Sequence, residues 1–176
     1  MAHVPEDEQH QVALQVERVR LMLQDAFAGV QGKLCKTLTH ADFVEMRTDL
    51  PLFLPETLQF LLPKILEELM RAHTNDDVNT ENAEFVLMSL NVDAYISEET
   101  YDSTRRVFGE DSADRDREYA ESSRMGRHES FALITQDQAK AVYQWLLLAR
   151  NWGDFAAWSD DMEGALDYWR RRANTD

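Results

Sequence analysis

The sequence predicts an all-α protein, a compact single-domain bundle of five to seven helices with a proline-kinked central helix. Three observations carry that expectation. Across 176 residues there are only 6 glycines and 4 prolines, and runs of Ala, Leu, Glu, Gln and Met fill the space between them; these are strong helix formers. Apolar residues recur at i, i+4, i+7 and i+11 in several stretches, the signature of one buried helix face. Period-2 alternation of β-branched residues is nowhere sustained, so no strand is expected. The length suits one domain spanning 1–176. Such a chain buries roughly 70% of the surface it exposes unfolded, so it needs no disulfide or metal to hold its fold.

The first helix is expected from Glu6 to Ala28, with Val12, Val16, Val19, Leu23 and Val30 on its buried stripe. Gly29 and Gly32 would end it, since glycine accepts a left-handed cap cheaply. A short second helix begins at "THADFVEM", with Thr39 as cap and Asp42 three residues on, a capping box. "DLPLFLPETLQFLLPKILEEL", from Asp49 to Leu69, is the most apolar segment yet carries three Leu-Pro pairs. Pro51 and Pro55 each suit a first helical turn, where no intrahelical N–H bond is lost. Each also pushes the preceding leucine toward extended backbone. From Pro55, Leu58, Leu62, Ile65 and Leu69 form the stripe of a central helix ending near His73. Pro63 inside it removes one hydrogen bond at a cost of about 3 kcal/mol, which predicts a bend or restart.

"HTNDDVNTEN" reads as a loop. Asn79 or Thr80 then caps a helix over Glu81 to Leu90, with Ala83, Val86, Leu87 and Leu90 facing inward. Another short helix follows Ser97, where Glu98 and Glu99 suit the positive helix N-terminus. Residues 109–130, "GEDSADRDREYAESSRMGRHES", hold only Tyr119 and Met125 as large apolar groups. They read as a polar, flexible insertion: an exposed loop, a solvated helical turn or local disorder. Thr135 and Gln138 then form a second capping box, opening a helix whose central stripe is Ala139, Val142, Leu146 and Ala149. Trp152, Phe155 and Trp158 are expected to close the bottom of the core. The last helix starts near Asp160, turns Met162, Ala165, Leu166 and Trp169 inward, and ends on Arg170, Arg171 and Arg172, cations that complement its dipole.

Charge is the strongest global signal. The chain carries 33 acidic and 18 basic residues, a net charge of −15 and an isoelectric point near 4.6. Such a surface repels nucleic-acid phosphate and anionic lipid and speeds the docking of basic proteins. Cys35 is the only cysteine, which excludes an intrachain disulfide and suits a reducing compartment. The polar start "MAHVPEDEQHQ" lacks the pattern of a signal peptide, and no stretch approaches the roughly 20 apolar residues of a membrane span. A cytoplasmic location is expected.

No catalytic constellation is visible. His3, His10, His40, His73 and His128 make no metal-type pair on a helix face. His40 and Asp42 read as cap residues, and Cys35 as a small apolar filler. "EDSADRD" lacks the glycine and terminal glutamate of a calcium loop. No metal and no cofactor are therefore expected. What remains is surface. Tyr101 and Tyr119 lie among Asp93, Glu98, Glu99, Asp102, Glu110, Asp111, Asp114, Asp116 and Glu118, aromatic anchors within a steering field. Tyr95 also lies in this stretch, and its position after an apolar helix predicts that it leans on the core.

"LPETLQFLLPKILEELM", "FALITQDQAKAVYQWLLLA" and "ALDYWRR" together resemble a family of small uncharacterised bacterial all-α proteins, with a Leu-Leu-Pro helix and a terminal Tyr-Trp helix. The residues that carry the resemblance are Phe60, Pro63, Thr135, Gln138, Tyr168 and Trp169. It implies a fold and no catalytic residue. The small, acidic, single-domain profile is similar to that of toxin-neutralising immunity proteins. The expectation is a non-enzymatic acidic binding protein, an immunity protein that occludes the active site of a cognate bacterial toxin. The partner would be basic, with no nucleic acid or membrane involved, and the free protein a monomer. The alternatives are a small enzyme or ligand-binding protein with an inter-helix pocket drawing on His40, His73, Cys35 and Glu67, or a structural or regulatory homodimer burying the aromatic cluster around Trp158.

Overall fold

The structure, a computed structural model, describes residues 6–32, 37–74 and 80–174. Among them the chain forms eight α-helices and no strand: α1 (Glu6–Ala26), α2 (His40–Met46), α3 (Pro55–His73), α4 (Ala83–Leu90), α5 (Glu98–Phe108), α6 (Glu110–Ser130), α7 (Gln136–Ala149) and α8 (Ser159–Ala173). Short 3₁₀ turns at Leu50–Leu52 and Gly153–Phe155 complete the set. The all-α single domain is as expected. The count exceeds the expected five to seven because 109–130, read as a flexible insertion, is almost wholly one helix.

The caps follow local chemistry. Thr39 accepts from the Asp42 N–H, and Asp42 Oδ2 takes the Thr39 N–H at 2.7 Å. Thr135 and Gln138 repeat this box at α7, and the Ser97 hydroxyl accepts from the Thr100 N–H at α5. Pro55 occupies the start of α3, and Pro63 lies inside it. The α4 entry differs from expectation. Asn82 caps it in the left-handed region at φ 64°, not Thr80, and Asn79 lies outside the described residues. Gly29 and Gly32 do not adopt the left-handed cap. Gly32 is needed for space instead: a Cβ there would fall 2.2 Å from the Phe60 ring.

The core gathers the predicted stripes. Leu58, Leu62, Ile65 and Leu69 of α3, Val86, Leu87 and Leu90 of α4, and Ala139, Val142, Leu146 and Ala149 of α7 are all buried. So are Met162, Ala165, Leu166 and Trp169 of α8. On α1 only Val19 and Leu23 of the expected stripe are buried; Val12 is exposed. Two indoles pin helices together. Trp145 Nε1 donates to the Leu66 carbonyl at 3.1 Å, and Trp169 Nε1 to the Leu90 carbonyl at 2.9 Å. Each places a large apolar body in the core while satisfying its one donor. Trp152 and Phe155 close one end as expected, stacked on each other and edge-on to Trp145. Arg47, fully buried, donates to the Glu81 carbonyl at 2.6 Å and ties the end of α2 to the approach to α4.

Candidate protein-binding surface

Helices α5 and α6 form an antiparallel hairpin with Gly109 as the single joint. At φ 91° and ψ 172° this residue occupies backbone essentially reserved for glycine. Glu98 at the start of α5 meets Arg117 of α6 at 2.9 Å, while Arg105 near its end approaches Glu110 at 2.7 Å without hydrogen-bond alignment. Ladders of this kind fix the hairpin's direction. A sequence so poor in apolar residues forms a helix because its charges are ordered. Glu110 and Asp111 occupy its first turn, Arg127 and His128 its last, each complementing the dipole. Its inward contacts are few but specific. Ala113 is buried. Arg127 Nη2 donates to the Ala94 carbonyl at 3.0 Å, and the Ser130 hydroxyl to the Pro51 carbonyl at 3.1 Å. The expected loop or disorder at 109–130 is thus corrected.

The hairpin sorts the predicted residues into two groups. Asp93, in the α4–α5 connection, is half-buried and held by Arg171 at 2.6 Å and His128 at 2.9 Å. Burial opposes its ionisation, yet these partners win and hold its carboxyl below the ordinary aspartate range. Tyr101 is buried, with the Arg117 guanidinium 4.7 Å from its ring centre. It is part of the hairpin's packing, and the expectation that it stands out as an anchor is corrected. Asp102 takes Arg105 at 2.6 Å.

The other group faces water. Glu99, Asp111, Asp114, Asp116 and Glu118 are exposed, and among the described residues none of these carboxylates enters an ion pair. Tyr119, on α6 with the last four of them, is 75% exposed. Met125, in the segment expected to be exposed, stands out too, and three more apolar side chains do so without having been expected to: Val107, Phe108 and Tyr95. Tyr95 is 83% exposed, which corrects the expectation that it leans on the core. Its helix ends at Leu90, and the intervening Asn91 to Ala94 carry the chain outward. The signal for Phe108 was available: an apolar residue immediately before the joint glycine has no turn of helix beyond it to cover it.

The polar inward groups considered for an enzyme or ligand site are dispersed. His40 Nδ1 binds Glu68, which also accepts from Arg71 Nε and Nη2. These partners hold the Glu68 carboxyl below its ordinary range, Arg71 first. His73 stacks on Trp152 with ring centres 4.2 Å apart. Glu67 is half-buried beside α1, and Cys35 lies outside the described residues. Among the described residues no group of three or more His, Cys, Asp or Glu side chains is placed to hold a metal, and no helix is long and apolar enough to cross a membrane. No protein-family model, characterised protein or solved structure matches the chain.

Proposed function

We propose that this chain is a non-enzymatic binding protein that docks a basic protein through the outer face of its α5–α6 hairpin, and that it acts as an immunity protein by covering the active site of a toxin. The observation that carries the reading is the company Tyr119 keeps. A tyrosine three-quarters exposed shares α6 with Asp111, Asp114, Asp116 and Glu118, exposed carboxylates with no ion pair among the described residues. Unneutralised carboxylates on a molecule of charge −15 draw a basic surface in from a distance. Aromatic rings with an apolar body and a polar tip supply contact area once it arrives.

A rigid helix suits this role better than a loop. Its backbone is already ordered, so little backbone conformational entropy is lost on binding. Occlusion needs no chemistry from the inhibitor: a carboxylate-lined helix laid over a cationic active site excludes substrate by volume and by charge.

The test begins with capture of the partner from the producing cells by the full-length chain. The expected partner is one basic enzyme, silenced at equimolar ratio. Its association rate falls with added salt, and the combined Asp111→Lys, Asp114→Lys, Asp116→Lys and Glu118→Lys variant slows association by about tenfold or more while keeping the fold. Unchanged association and protection in that variant would remove the hairpin from the interface.

A further inference from the structure

A second concave feature lies beside the hairpin and draws on a helix the functional reading does not use. A pocket of about 520 Å³ opens between the α4–α5 connection and α8. Asp160, Asp161 and Asp167 come to it from α8, and Asn91 and Asp93 from the connection, with Tyr95 on its rim. Arg171 bridges Asp93 and Asp167. Asp160 and Asp161 face no such cation in an ion pair among the described residues.

The dipole of α8 accounts for two carboxylates in its first turn. It does not account for Asn91. This side chain is nine-tenths buried. Its Nδ2 donates to Asp161 at 3.0 Å, which fixes the orientation of the carboxamide. Its Oδ1 accepts from no described residue, and the side chain lines the pocket. Gly164 exists for this contact. A Cβ there would fall 2.5 Å from Asn91 Oδ1, and glycine in mid-helix destabilises relative to alanine. Nor does the dipole account for Tyr95, whose ring is almost wholly free at the same mouth.

Apart from Arg171 and the hydroxyls of Ser97 and Tyr95, the polar side chains around the opening are the carboxylates and Asn91, whose Nδ2 is already taken by Asp161. The ligand must bring donors and positive charge, and a flat cation also gains the Tyr95 face. A planar guanidinium meets all three requirements where an ammonium meets two. We propose that this pocket receives an arginine side chain of the basic partner, which donates to Asn91 Oδ1 and to the carboxylates of Asp160 and Asp161 and lays its face on the Tyr95 ring. The inference rests on the reading of a basic partner and extends its footprint from the hairpin onto α8.

Hexa-arginine is the probe, titrated at low ionic strength into isotope-labelled full-length protein and followed by amide chemical shifts. Saturable shifts are expected at the Asn91 side chain, Tyr95, Asp161 and Gly164, with hexa-lysine bound about threefold more weakly. Asp160→Asn with Asp161→Asn should weaken hexa-arginine about tenfold. Gly164→Ala should do the same by displacing the carboxamide, and the dispersion of its amide spectrum checks that the fold survives the tighter packing. The pocket is refuted if shifts spread evenly over the acidic surface or centre on α6, or if both variants bind as the wild type. Loss of hexa-arginine binding through the α6 lysine substitutions alone would refute the pocket and leave the hairpin reading standing. No binding by the wild type would overturn both.

Discussion

Replacing Gln138 with leucine removes an acceptor shared by two distant parts of the chain. Gln138 is buried at the start of α7. Its Oε1 accepts from the Thr135 N–H at 3.0 Å, closing the capping box, and from Gln59 Nε2 of α3 at 2.9 Å. Leucine has similar volume, so the cost comes from polar groups and not from a cavity. A hydrogen bond contributes about 1 kcal/mol net, and a buried donor left without a partner costs about 1–3 kcal/mol. Gln59 keeps its bond to the Leu133 carbonyl at 2.8 Å, while the Thr135 N–H is orphaned. The expected destabilisation is therefore about 2 kcal/mol, a fall in Tm of about 4–8 °C for a domain of this size. Thr135→Ala removes only a 3.3 Å bond and should cost about 1 kcal/mol. Urea unfolding followed by tryptophan fluorescence measures both, with an unchanged slope if the unfolded state is unaltered. A double-mutant cycle with Gln59→Ala should return a coupling of about 1 kcal/mol. Gln138→Leu within about 0.5 kcal/mol of the wild type, or a cycle without coupling, would show that this polar junction does not hold α3 to α7.

Three further outcomes follow from the structure. Gly109→Ala should cost about 2 kcal/mol through backbone strain alone, since a Cβ there meets nothing within 4 Å; a neutral result by chemical denaturation would show that the α5–α6 joint relaxes freely. Trp169→Phe deletes the donor to Leu90 and part of a fully buried ring, and should lower stability by about 2–3 kcal/mol in the same assay. Glu68 and Asp93 have folded pKa values below their ordinary ones, so they stabilise the fold above the unfolded carboxylate range of about 4 and lose that contribution as pH falls through the lowered folded values. Stability measured against pH should fall on acidification across that window, and more shallowly in the Glu68→Gln and Asp93→Asn variants; identical slopes would refute the assignment.

Local chemistry made much of this fold legible. Thr39 with Asp42 and Thr135 with Gln138 place helix starts because their side chains satisfy backbone donors within three residues, a matter that involves no distant partner. Stripes such as Leu58, Leu62, Ile65 and Leu69 declare a buried face because core helices repeat at one period. The reading failed where order depends on charge or on the chain beyond the window. Residues 110–130 have too few apolar side chains to announce a helix, yet their terminal charges suit one, and Arg127 and Ser130 dock it onto the 92–94 connection and Pro51. Tyr101 and Tyr95 exchanged the roles expected of them. Arg117, sixteen residues on, lies over the first, and the turn after Leu90 swings the second outward; neither event leaves a mark beside the residue itself. Asn91 was silent for the same reason, because its meaning lies in Gly164, far along the chain.

The binding reading gains from how the acidic residues divide. Excess negative charge on a protein is ordinarily an argument about solubility, satisfied by any even distribution of carboxylates. Here the distribution follows structure. Carboxylates that join elements are neutralised: Asp93 by Arg171 and His128, Glu68 by Arg71 and His40, Glu98 by Arg117. Those on the outer hairpin, Asp111, Asp114, Asp116 and Glu118, are left without ion pairs among the described residues although Arg115 and Arg117 share their helix. Arg115 turns its Nε to the Asp111 carbonyl and Arg117 turns to Glu98. Basic side chains in reach thus turn toward the backbone or α5 and make no ion pair with the four carboxylates, which face solvent. Solubility alone does not require that arrangement beside exposed Tyr119 and Phe108, because apolar rings at a charged surface reduce solubility. Charge that attracts and rings that hold are what the proposed basic partner would meet, so removing charge at α6 and removing the ring of Tyr119 should have separable effects. The charge substitutions should slow association, whereas Tyr119→Ala should hasten dissociation. Equal effects of both on a single rate constant would show that the two features do not serve one interface.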